Sequence, residues 1–188
     1  MRKALITTVI AVSACTLVLA TNGQARNTPN APSMRTTVAL DDPTIVAIFD
    51  EANTADIETG ELGAKKGTTK AIRDFGAMLV RDHKAVRTKG RKLAKKLHVT
   101  PTPPKDDQGA RDHAAAMNEM RALKGSAFDH AFLRHEVAYH KAVIDAVNST
   151  LLPSIKNAEL KDLVVSVAPA FQAHMLAAQN LEGKLATK

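Results

Sequence analysis

Glu58, His83, His140 and His174 are an acid and three imidazoles, each on the expected apolar stripe of a different helix. A buried ionisable group is costly unless it is paired or bound to a metal. Four of them at one level of a helical core would form a ligand set. One carboxylate and three imidazoles suit a single divalent transition metal such as zinc, copper(II) or iron(II). Glu136 lies one turn before His140 on the same face and adds a second acid. The chain contains no Glu-x-x-His, the step that carboxylate-bridged di-iron bundles use, since Glu136 and His140 stand four apart. The same residues allow a bland reading. His83 paired with Glu58, and His140 with His174 through water, would make a buried polar network that only fixes packing.

The elements that must position these residues follow from periodicity. Asp42-Pro43 opens a first helix over residues 42–67, with Asp as cap and Pro in the first turn. Ile45, Ile48, Phe49, Ala52, Ala55 and Leu62 form its stripe, into which Glu58 fits. A second helix spans 69–98, with His83 between Leu79 and Val86. Pro101, Pro103 and Pro104 stop it. A shorter helix covers 108–123. Gly125-Ser126 then breaks the chain before a third long helix over 127–150, where His140 follows Phe132 and precedes Val143. The fourth spans 158–186, with His174 between Phe171 and Ala178 and a kink expected at Pro169. The pattern predicts an all-α domain over 42–188. Its form is an antiparallel four-helix bundle with a short extra helix between the second and third long ones.

Other histidines carry less weight. His98 stands at a helix C-terminus, where a cation is favoured. His130 and His135 lie off the inner stripe and are expected to be exposed. His113, on the short helix, could cover the end of a site.

Residues 1–25 read as a secretory signal: Arg2 and Lys3, then an apolar run, then Gly23-Gln24-Ala25. The run is short for a membrane span, which needs about 20 apolar residues. Val12-Ser13-Ala14-Cys15 resembles a lipobox, although the residues after Cys15 stay apolar. Residues 26–41 form a Pro- and Asn-rich leader. The reading is an exported protein, periplasmic or associated with the outer membrane. The chain holds 26 Lys and Arg against 19 Asp and Glu, a formal charge of +7. The run from Lys84 to Lys96 concentrates this charge on one face, which would suit an anionic envelope surface. Aromatics make up 3% of the chain and tryptophan is missing, which argues against base stacking and hence against nucleic acid as a partner.

Four segments carry a family resemblance. Ala55-Asp56-Ile57-Glu58-Thr59-Gly60-Glu61-Leu62-Gly63 resembles the first-helix signature of a bacterial secreted, ferritin-like family of unknown function. Members of that family are often labelled outer-membrane proteins. Phe75 to His83, Phe128 to Leu133 leading to His140, and Pro169 to His174 resemble its other helix motifs, and together the match spans residues 42–184. Two departures stand out: Tyr139 where the family commonly has Asp, and Gly63 where it often has Ala. The resemblance implies a ferritin-like bundle in the cell envelope and no established activity. Three functions follow as expectations. The first is a metal-binding envelope bundle protective under metal or oxidative stress. The second is a non-catalytic structural or interaction bundle. The third is an enzyme using Glu58 or Glu136 as a base, with a pocket covered by the short helix.

Overall fold

The computed structural model describes residues 40–186. The expected signal over 1–25, Cys15, and all but the last two residues of the leader lie outside that range. All regular structure among the described residues is helical. No helix among them is long and apolar enough to cross a membrane.

Helix α1 spans Asp42–Lys66. Its cap is Asp41, not Asp42: the Asp41 carboxylate accepts from the Thr44 N–H at 2.9 Å. Asp42 instead accepts from the N–H groups of Lys156 and Asn157, both at 2.9 Å, and so ties the start of α1 to the last interhelical turn. Helix α2 spans Lys70–Lys96, capped by Thr69. It closes in a Schellman motif, with Val99 N–H on Ala94 O at 2.9 Å and His98 N–H on Lys95 O at 3.2 Å. His98 holds the left-handed position at φ 55°, where glycine is the usual occupant.

Helix α3 spans Gln108–Ala122 and α4 spans Gly125–Ala146. Gly125 has φ 58°, so the sharp α3–α4 reversal uses the freedom of a residue without Cβ. The expected third long helix runs to residue 150, but its α-helical part stops at Ala146 and opens into a π turn at Val147–Leu151. Ser149 Oγ donates to Asp145 O at 2.7 Å, which competes with the helical ladder. Pro153 then withholds a further backbone donor. The short α5, Leu152–Ser154, leads to α6, Ala158–Ala186. Helix α6 continues through Pro169. That proline is exposed, so the carbonyl it leaves without a donor can reach water.

Helix α1 packs on α2, and α4 on α6; α2 also meets α6, and α1 meets α4. The core has two apolar layers. Ile45, Phe49, Val86, Val147, Leu160 and Phe171 belong to one. Phe75, Leu79, Phe128, Phe132 and Ala178 belong to the other. By residue order, α1 and α6 run from the first layer to the second, while α2 and α4 run back. Each of these four pairs is therefore antiparallel, and α2 and α4 are parallel. The segment joining them has to travel the length of the helices, and α3 lies within it. Lys66 fixes the end of α3, donating to the carbonyls of Met120 at 2.9 Å and Arg121 at 2.7 Å.

The α1–α2 contact is set by glycine. A Cβ on Gly76 would stand 2.4 Å from Ala64 N and 2.6 Å from Gly60 O, so only glycine admits this approach. That contact fixes the height of α2 against α1, and with it the height of His83.

Candidate metal centre

Between the two apolar layers lies a layer of buried polar side chains. Helix α1 contributes Asn53, Asp56 and Thr59, α2 contributes His83, α4 contributes Glu136 and His140, and α6 contributes His174; all are at most 4% exposed. The three imidazoles converge, with ring centroids 5.0 Å apart for His83–His174, 5.4 Å for His140–His174 and 5.7 Å for His83–His140. Phe171 stacks on His83 at 5.6 Å and floors the group on one side.

The hydrogen-bond partners dictate the tautomers. Asn53 Nδ2 donates to Phe49 O at 2.7 Å, which leaves its Oδ1 as the acceptor 3.0 Å from His83 Nδ1. His83 must therefore donate from Nδ1. His140 Nδ1 faces the backbone oxygen of Glu136 at 3.0 Å and must donate too. His174 Nε2 lies 3.1 Å from Asp82 Oδ2, again an acceptor. Burial would raise the Asp82 carboxyl, but its bonds to Arg81 and His174 outweigh that and hold it below its usual range.

The histidines are held neutral. Burial, reinforced by the neighbouring imidazoles, pushes His83 and His140 down to about 3. Burial lowers His174 as well, against the opposing pull of Asp82. A neutral ring with one nitrogen donating has a lone pair on the other. The remaining nitrogens are His83 Nε2, His174 Nδ1 and His140 Nε2. The first two face each other at 3.1 Å. His140 Nε2 has no hydrogen-bond partner and lies 3.8 Å from Asp56 Oδ1.

The carboxylates are equally short of donors. Asp56 Oδ1 and both oxygens of Glu136 are buried without partners. Asp56 Oδ2 reaches only His83 Nδ1, at 3.4 Å. Burial first, and then the charge of Glu136, push the Asp56 carboxyl well above its usual range. Burial raises Glu136 to about 8. Two ligand sets result, His83–His140–His174 and Asp56–Glu136–His140, with the donor atoms of each set within 4.8 Å of one another. Tetrahedral bonds of about 2.0–2.1 Å separate ligand atoms by about 3.3 Å. The 3.1 Å between His83 Nε2 and His174 Nδ1 is close to that edge.

The structure brings four of the five sequence-derived candidates together: His83, His140, His174 and Glu136. Glu58 is the correction. Its side chain is 49% exposed and lies 3.0 Å from His113 Nε2, outside the cluster. Asp56 takes the inner position instead. Two residues along a helix turn the side chain by about 200°, so the two acids face opposite ways. The inner row of α1 is Phe49, Asn53, Asp56, Gly60 and Gly63, an unbroken alternation of four- and three-residue steps. That repeat was the available signal, but polar and glycine residues hid it from an apolar count. Asp82, a quarter-turn from His83, orients His174. His130 and His135 are half-buried rather than exposed. His135 stacks on Tyr139 at 5.6 Å.

The short helix does cover a cleft. A cavity of about 360 Å³ lies between α1, α3 and α4. Glu51, Glu58, Asp107, His113 and Tyr139 are among its lining residues, and none of the buried cluster is. Tyr139 stands between the two, its ring 6.3 Å from that of His140.

Fold and site together define an all-α protein with a buried imidazole–carboxylate centre. A family model described as a domain of unknown function, DUF4142, matches residues 27–181, and the chain belongs to that family. No curated protein and no solved structure matches the chain.

Proposed function

We propose that this protein is an exported, ferritin-like four-helix bundle that binds one divalent transition-metal ion in its core and acts in the cell envelope under metal or oxidative stress. Three inward imidazole lone pairs, each fixed by a hydrogen bond on the opposite ring nitrogen, carry the metal reading. Ligating histidines characteristically donate their other N–H to a carboxylate or carbonyl, as His174 does to Asp82 and His140 to Glu136 O. Asp56 and Glu136 complete the set and supply two negative charges against a dication. Imidazole nitrogen with carboxylate oxygen suits zinc, copper(II) or iron(II). Such an ion would supply Lewis acidity or redox chemistry. The chain's own residues orient the donors and exclude water.

The helix directions support the ferritin-like form. Two antiparallel pairs joined by one crossover is the connectivity of that class. Residues 42–188 form the bundle domain in this reading, with the signal and leader ahead of it.

The basic face is smaller than the sequence suggests. Lys84 pairs with Glu61, Arg91 with Asp50 and Lys96 with Glu159, and Arg87 donates to Thr54. Lys89, Lys92 and Lys95 are exposed and remain as a short cationic stripe. This stripe is the part we assign to an anionic envelope surface.

A second reading has its own observation. Asp56 and Glu136 are raised above the usual carboxylate range, so protons can replace the cation and close a metal-free polar network. Elemental analysis of untagged protein from residue 26 onward separates the two, run beside a His140→Ala, His174→Ala double variant. Near-stoichiometric metal that is lost in the variant supports a metal site. No metal after challenge with zinc, copper and iron, in a folded protein, leaves the polar network.

A further inference from the structure

The cavity between α1, α3 and α4 is chemically unlike the rest of the molecule. In a chain of formal charge +7, no Lys or Arg lines it. Its walls are apolar and small: Ile48, Ala52, Ala55, Ala142, Val143 and Ala146. Its charged groups are all acids, with one imidazole. Glu51 and Asp107 both line it, Asp107 Oδ1 also accepting from the Ala110 N–H at 2.9 Å, and Glu58 pairs with His113. Burial, and then Asp107, raise Glu51 to about 7, as two carboxyl groups facing one cavity repel each other's charge. The volume of about 360 Å³ falls within the ~300–1,000 Å³ of ordinary ligand pockets.

Two carboxyl groups beside an apolar wall, with no Lys or Arg to neutralise them, make a site that a cation can take. An ammonium group would pair with the two carboxylates, while its hydrocarbon body would cover the alanines. A neutral ligand would leave the acids as they are. A bare metal ion is a poorer fit, because these acids and His113 do not form one of the clusters able to hold a metal among the described residues.

We infer that this cleft is a binding site for a small organic cation, a primary amine on a compact apolar body, with Glu51 and Asp107 as its anionic anchor. The site is separate from the buried histidine centre and does not depend on it. Both Asp107 and His113 come from the crossover segment, so the short helix builds the pocket as well as covering it.

Tyr139 is the only tyrosine and there is no tryptophan, so tyrosine fluorescence comes from a side chain that lines this cavity. The probes are cyclohexylmethylamine and its neutral counterpart cyclohexylmethanol, titrated at pH 7 into the full mature protein. The expected result is a saturable fluorescence change with the amine, at least tenfold weaker with the alcohol. The Glu51→Gln, Asp107→Asn double variant is expected to lose the amine preference. Ala142→Leu, which fills the cavity and leaves the acids in place, is expected to weaken both probes. Circular dichroism checks that each variant is folded, and Glu51→Gln alone serves if the double variant is not. Equal response to amine and alcohol, or no saturable response up to tens of millimolar, overturns the inference.

Discussion

Removing the negative charge of Glu136 should stabilise the metal-free protein, by an amount that grows with pH. Glu136 is fully buried, neither of its oxygens has a hydrogen-bond partner, His140 Nδ1 stands 3.4 Å from Oε2, and burial, opposed by Thr59, raises it from 4.5 to about 8. In the unfolded chain the group ionises near 4.5; in the folded protein it keeps its proton up to about 8. Between those values the folded state binds more protons, so stability is lost as pH rises. At about 1.4 kcal/mol per pH unit, the loss from this group is under ~1 kcal/mol at pH 5 and about 3 kcal/mol at pH 7. Glu136→Gln keeps the shape and cannot ionise, so it escapes that loss. The histidines act in the opposite sense. With His83 and His140 lowered to about 3, they cost stability as pH falls below 6.5. Both proteins share that effect, so it cancels in the difference. Urea unfolding of chelator-treated wild type and Glu136→Gln, followed by circular dichroism at pH 5, 6 and 7, measures the gap. It should widen across the series. Added zinc should reverse the ranking, because the variant has lost an anionic donor. A gap that is flat with pH, or a variant less stable than wild type at pH 7 without metal, would refute the reasoning: Glu136 would then be ionised and well partnered in the folded protein.

Three further outcomes follow. Asp82→Ala should leave the fold intact, since that side chain is 32% exposed, yet weaken metal binding roughly 10–100-fold by removing the acceptor that holds His174 Nε2. Competition against a chromogenic chelator reads this, and unchanged affinity would remove Asp82 from the centre. Gly76→Ala should destabilise at or above the upper end of the ~1–3 kcal/mol range for overpacking, since its Cβ would meet backbone at 2.4 Å that has no free end to swing away. A thermal midpoint within a degree of wild type would contradict that packing. His98→Gly should stabilise by about 1 kcal/mol, because it relieves a left-handed residue at the end of α2 without touching the Schellman bonds. Denaturant midpoints decide the sign.

How legible each helix was depended on how much of its surface is covered. Helix α2 has a basic outer face and a narrow apolar row, so periodicity put His83 inside. Helices α4 and α6 gave Glu136, His140 and His174 for the same reason, since each lies in register with a buried phenylalanine. Helix α1 meets α2, α3 and α4, so its apolar arc is wide. On such a helix the apolar residues do not mark one inner line, and the row through Ala55 and Leu62 put Glu58 inside. The change from α to π geometry after Ala146 was not legible, because Asp145, Ser149 and Pro153 act through backbone bonding that hydrophobic patterning does not register.

The sequence by itself determined the helical class, the places where most helices start and stop, and the imidazole side of the centre. These depend on local propensity, caps and spacing along one chain. Tertiary structure decided which acid completes the centre and at what height. The approach of Gly60 to Gly76 sets the register of α1 against α2, and the three helices around α1 choose Asp56 over Glu58. It also decided that the crossover helix encloses an acidic cleft, because Glu51 and Asp107 are brought together only when α3 is laid across α1. Contacts between residues far apart in the chain are fixed by close packing, and a one-dimensional pattern does not carry that information.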